Sequence, residues 1–168
     1  DMGGFKGETY EKLFILWAQF GLFSSHSRCH GTATRLPWKI GEQAETIFRE
    51  YVKLRYRLLP YIYSQSITSA EQGLPLLRAM VLEYQDDPRT FTIDSQYMFG
   101  DSLLVAPVLN ENGTVDIYLP QGEWTNYWTK KREQGPCTIK KTVPLEELPL
   151  FVKTDSIVPL APECAYTG

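Results

Sequence analysis

Between Glu8 and Phe20 the run "ETYEKLFILWAQF" sets Leu13, Leu16, Trp17 and Phe20 at intervals of three and four. That spacing predicts an amphipathic helix. Gly21 follows directly and is placed to end it. After a polar loop, Pro37 and Trp38 introduce a second helical pattern in which Ala44, Ile47, Phe48, Tyr51, Val52 and Arg55 recur at three and four, with charges largely on the opposite side. Pro60 has no N–H to donate and should kink or break this element. The helical texture then resumes through "YIYSQSITSAEQG" to Gly73, so the expectation is one long, bent helix. "LPLLRAMVLEY" is a compact apolar run, too short for another long helix and consistent with a buried strand.

Beyond Asp86–Thr90 the pattern changes. "SLLVAPV", "TVDIYLP", "EWTNYW", "CTIKKTV", "LPLFVK" and "SIVPL" are short β-favouring runs separated by Asn-Gly, Gln-Gly and Gln-Gly-Pro breakers. They predict a small antiparallel domain. "TKKREQG" reads as an exposed hairpin tip, and Asn112 in "NGT" as a hairpin turn in preference to a glycosylation acceptor. The fold class is therefore α/β plus all-β, with residues 1–88 as the C-terminal part of a (β/α)8 barrel and residues 89–168 as a β-sandwich. A complete barrel needs about 250 residues. The chain opens at "DMGGF" with a Gly-Gly loop under way and no initiator Met, so a fragment of a longer protein is expected.

Composition narrows the function. With 168 residues, 43% of them hydrophobic, the chain can bury a substantial core. A formal net charge of −3 argues against nucleic acid as a partner. No run approaches the eighteen or so apolar residues that span a bilayer. Three widely spaced cysteines, Cys29, Cys137 and Cys164, form neither a disulfide framework nor a metal knuckle, which fits a reducing compartment. "REYVKLRYRLLPY" alternates charged and apolar positions and reads as a solvated helix face.

The chemistry concentrates in "LFSSHSRCHGTATRLPW", which holds both histidines of the chain, His26 and His30, around Arg28 and Cys29. Two imidazoles four residues apart grip zinc when they share a helix face. Here the serines, threonines and Gly31 make a loop, and the segment holds no acidic general base. A structural role is one alternative to a metal site, and contact with a polar substrate is the other. The substrate reading is preferred because loops on rigid scaffolds carry function disproportionately. In "DMGGF" the glycines permit unusual φ and close approach of backbone to a ligand, leaving Asp1 and Phe5 to face a pocket.

"DMGGF", "HSRCH", "LRYRLLPYIY", "MFGDSLLVAPV" and "YLPQGEWTNYW" occur in the order found in glycoside hydrolase family 31, and the chain resembles that family over essentially its whole length. The loop "FGLFSSHSRCHG" followed by "LPW" is most similar to that of bacterial α-xylosidases, whereas the commoner α-glucosidase loop reads Arg-Asn-His. The resemblance implies that His30 bonds the sugar in the −1 subsite, that Phe5 lines it, and that Asp1 and Arg28 shape the pocket. Met2 and Cys29 depart from the family pattern without removing a sugar contact. The resemblance further implies a retaining, exo-acting α-xylosidase whose two catalytic aspartates lie upstream of Asp1. No residue of this chain, Glu83 and Asp101 included, takes their place. No cofactor and no metal are implied. The partner is a small carbohydrate, an α-xyloside or α-glucoside, and the full-length enzyme is compatible with a homo-oligomer. A cytoplasmic location is expected, with a signal peptide left open by the missing N-terminus. The rival readings are an α-glucosidase of the same family and a non-catalytic carbohydrate-binding β-domain with a helical extension.

Overall fold

A computed structural model describes residues 1–164. The chain divides into two compact units, one of residues 1–61 with the segment from Pro159, the other Ile62–Val158.

The first unit is helical. Helix α1 (Glu11–Leu22) packs on α3 (Glu42–Arg57), which follows the short α2 (Pro37–Ile40). Phe14 meets Phe48 with ring centroids 5.9 Å apart, and Phe23 meets Tyr51 edge-on at 6.3 Å. The Glu11 carboxylate accepts from the Ala44 amide at 2.9 Å, so α1 satisfies an otherwise orphaned donor at the start of α3. The buried side of α1 is Phe14, Ile15, Ala18, Gln19 and Leu22, whereas Trp17 is exposed. The stripe expected through Leu13, Leu16, Trp17 and Phe20 is therefore displaced, because this helix is apolar around most of its circumference and periodicity alone does not choose a face. Gly21 does not end the helix. It is buried inside the last turn, where an added Cβ would lie 2.7 Å from the Met2 side chain, so its role is close packing. Pro60 acts as expected: α3 ends at Arg57 with Leu58 as its cap, and α4 (Leu59–Gln72) begins with Pro60 in its first turn and leads the chain into the second unit. Gly73, at φ +71°, terminates α4.

The second unit is built on a six-stranded antiparallel sheet ordered β1-β2-β3-β6-β4-β5. The strands are β1 (Leu77–Ala79), β2 (Tyr97–Phe99), β3 (Leu103–Val105), β4 (Thr114–Asn126), β5 (Arg132–Thr142) and β6 (Leu150–Lys153). β1 is shorter than "LPLLRAMVLEY" suggests, because Met80–Glu83 close into a helical turn, α5. β1 pairs with β2, so strands on both sides of residue 88 share one sheet.

"TVDIYLP" and "EWTNYW" are one strand, not two. The Gln-Gly between them makes a bulge, with pairing to β5 shifting register between Leu119 and Gly122. The bulge frees the Pro120 carbonyl to accept from the indole N–H of the fully buried Trp124 at 2.9 Å. The β4–β5 turn carries the exposed "TKK" tip, with Lys130 at φ 62°. The Asn112 turn closes no hairpin, because β3 pairs with β2 and β6 rather than with β4. "SIVPL" forms no strand. Among the described residues no helix is long and apolar enough to cross a membrane.

Candidate functional site

The site is assembled within the first unit from two loops, one before α1 and one after it. In the first, Gly3 and Gly4 take consecutive φ values of +85° and +86°, the left-handed region that glycine enters without strain. The Gly4 amide donates back to the Asp1 carbonyl at 2.9 Å, curling the segment so that Met2 is buried and Phe5 is exposed. In the second loop the chain leaves α1 at Phe23 and runs in irregular conformation to Leu36.

Main-chain hydrogen bonds register the two loops against each other. The Met2 amide donates to the Arg28 carbonyl at 3.0 Å, and the Thr32 amide donates to the Phe5 carbonyl at 2.7 Å. The Thr32 hydroxyl also accepts from the Gly7 amide at 3.1 Å. Gly31 allows this approach, since a Cβ there would lie 2.8 Å from the Phe5 carbonyl oxygen.

This register brings the four sequence-derived site residues together as two pairs. The Phe5 and His30 rings stand 5.6 Å apart at a 35° tilt, both on exposed residues. Arg28 Nε donates to Asp1 Oδ1 at 2.7 Å, an ion pair open to solvent on the arginine side. His26 is engaged locally, its Nδ1 2.9 Å from the Ser25 hydroxyl. Cys29 is exposed and forms no disulfide. Among the described residues no group of three or more His, Cys, Asp or Glu side chains could hold a metal ion.

Two arginines that the sequence reading did not single out for the site hold the loops. Arg35 is 3% exposed and donates to three carbonyls: Gly4 through Nε at 2.8 Å, Gly7 through Nη2 at 2.7 Å and Thr34 through Nη1 at 2.9 Å. Arg55 reaches from α3 to the carbonyls of Leu22 at 2.6 Å and Ser24 at 2.8 Å. Arg55 did leave a trace in the sequence, a guanidinium at an apolar-stripe position. Arg35 left none, because an irregular loop has no periodicity to violate.

An exposed imidazole beside an aromatic face offers a flat apolar surface together with a ring nitrogen that donates or accepts. That combination suits a sugar, whose C–H face is apolar and whose rim is hydroxyl. Residues 1–65 match the model of the glycosyl hydrolases family 31 TIM-barrel domain, and residues 73–158 match that of the glycosyl hydrolase family 31 C-terminal domain. The chain belongs to glycoside hydrolase family 31, and its architecture is the end of that family's barrel followed by its C-terminal domain.

It is 40% identical over 166 residues to the α-xylosidase XylQ of Lactiplantibacillus pentosus, covering 94% of this chain and 22% of that protein. It is 38% identical over 181 residues to the isomaltosyltransferase of Sporosarcina globispora, covering 99% of this chain and 17% of that protein. The structure of a family 31 dextranase from Flavobacterium johnsoniae, complexed with glucose, superposes with a TM-score of 0.91 at 38% identity over 98% of this chain and 21% of that one. The chain thus spans about a fifth of the length of the relatives it matches. Near-equal identities to proteins with three different named activities leave the substrate to be argued from the site.

Proposed function

We propose that this chain is part of a retaining, exo-acting α-glycosidase that prefers α-linked xylosides. Phe5 and His30 border the subsite of the sugar whose bond is cleaved, and Asp1 and Arg28 shape its rim. The observation that carries this reading is the exposed Phe5–His30 pair, 5.6 Å apart on loops whose main chains are locked together. The loop sequence Ser-His-Ser-Arg-x-His-Gly favours the xyloside, as does the likeness to an α-xylosidase.

In a retaining glycosidase two carboxyls about 5–5.5 Å apart act as nucleophile and acid/base through an oxocarbenium-like transition state. Both carboxyls would come from chain outside these residues. The part played by this chain is to hold the sugar ring: Phe5 covers an apolar face, and His30 bonds a hydroxyl in a contact that strengthens as the ring distorts. Three free cysteines suit a cytoplasmic enzyme. The 168-residue chain alone is expected to be inactive, and turnover of an activated α-xyloside by it would contradict the assignment of the carboxyls.

The test is kcat/KM of the full-length enzyme for p-nitrophenyl α-xyloside and α-glucoside. Xylose lacks the hydroxymethyl group of glucose, so a pocket closed at that point gives the xyloside the higher value. An equal or higher value for the glucoside would move the assignment to an α-glucosidase, a reading favoured by the likeness to a dextranase complexed with glucose.

A further inference from the structure

We infer that Arg35 is a positioning residue: its buried guanidinium sets how close the His30 imidazole stands to the Phe5 ring. This rests on the reading that the pair borders the sugar subsite. The segment carrying Phe5 has little conformational preference of its own, since Gly3, Gly4 and Gly7 all lie at positive φ without side chains to fix them. An external tether must choose one conformation, and Arg35 is built for that task. Nε and Nη2 bind the carbonyls of Gly4 and Gly7, on either side of Phe5, while Nη1 binds Thr34 at the far end of the His30 loop. One rigid planar group thereby spans both loops. Guanidinium geometry fixes the spacing of its donors, whereas a lysine ammonium is a single point on a flexible stem and cannot reproduce it.

Gly31 is a second, independent constraint on the same register. A Cβ at residue 31 would stand 2.8 Å from the Phe5 carbonyl oxygen and 3.1 Å from both Arg35 Nε and the Gly4 oxygen. Any side chain there must push the His30 loop away from Phe5 or displace the guanidinium. Arg35 is buried beneath the loops while Phe5 and His30 are exposed, so it acts on a sugar only through them.

The test uses the full-length enzyme with Arg35→Lys and Gly31→Ala, each alone and combined with His30→Ala. Positioning predicts that Arg35→Lys lowers Tm, because a single ammonium leaves some of the three carbonyls without a donor, and that in the folded enzyme it also lowers kcat/KM by on the order of tenfold, a loss that disappears in the His30→Ala background. Gly31→Ala should show the same non-additivity, and it carries the test if Arg35→Lys does not fold. A fall in Tm with unchanged kcat/KM per active-site-titrated enzyme would overturn the inference, as would losses that multiply with that of His30→Ala. A crystal structure of the Arg35→Lys enzyme gives a readout independent of activity: a changed Phe5–His30 separation is expected, and an unchanged one overturns the inference. If His30→Ala leaves kcat/KM intact, it is the subsite reading that fails, and the ring separation still decides the role of Arg35.

Discussion

Phe5 and His30 face each other with ring centroids 5.6 Å apart, although α1 and its flanking loops separate them in the chain. Phe5 remains 45% exposed, so the contact leaves much of its ring surface open for a ligand. In the full-length enzyme, Phe5→Ala should therefore lower kcat/KM by on the order of tenfold, the scale of one aromatic contact. Stability should change by no more than about 0.5 kcal/mol, as for other exposed positions. Parallel kinetics and thermal melts check this, and a large loss of Tm with unchanged kinetics would make Phe5 a packing residue.

Asp87 should show itself in acid. Its carboxylate accepts from Arg89 Nε at 2.9 Å, from the Arg89 amide at 3.2 Å and from the Tyr118 hydroxyl. The Arg89 side chain, and after it the Tyr118 hydroxyl, hold its carboxyl below the usual aspartate range. A lowered folded value means that the stabilisation is full above the ordinary aspartate pKa of about 3.9 and is lost as pH falls through the folded value. The stability difference between wild type and Asp87→Asn should stay constant from about pH 5 to 7 and shrink below about pH 4. Denaturant midpoints across that range test it, and a difference that grows in acid would contradict it.

Arg78 is expected to carry more of the second unit's stability than its carboxylate partners. It is 2% exposed, and its Nη1 donates to Glu83 Oε1 at 2.7 Å and to Asp101 Oδ1 at 2.6 Å, while Nε donates to the Pro75 carbonyl. Truncation to Ala removes a buried side chain, and because the carboxylates left behind reach solvent, the cost is that of a large-to-small change in a core, about 2–4 kcal/mol. Asp101 is half exposed, so Asp101→Asn should cost less than about 1 kcal/mol. Equal effects of the two substitutions in chemical denaturation would show that the pair, rather than the buried guanidinium, carries the stability.

Periodic elements were legible in the sequence because burial repeats along them. Ala44, Ile47, Tyr51 and Leu54 make the buried side of α3, and Pro60 marks the break before α4. Periodicity does not choose the buried face of α1, which is apolar on most sides, and the packing role of Gly21 has no local signature because it depends on the close approach of Met2. The two site loops are marked in the sequence by "DMGGF" and "HSRCH", whose residues the structure brings together. The clamps behind them carry no such mark. Arg35 acts through main-chain carbonyls, which every residue possesses, so nothing in the sequence marks Gly4 and Gly7 as its acceptors.

The central claim, that His30 contacts the sugar, is tested most directly by kcat/KM of the full-length enzyme carrying His30→Ala on an activated α-xyloside. The account predicts a fall on the order of 10²–10³, the scale of losing one well-placed polar contact in a site. It also predicts a smaller loss for His26→Ala, seen mainly in Tm, and no effect of chelators. A His30→Ala enzyme with near wild-type kcat/KM would contradict it, as would activity abolished by chelation with His26→Ala as damaging as His30→Ala.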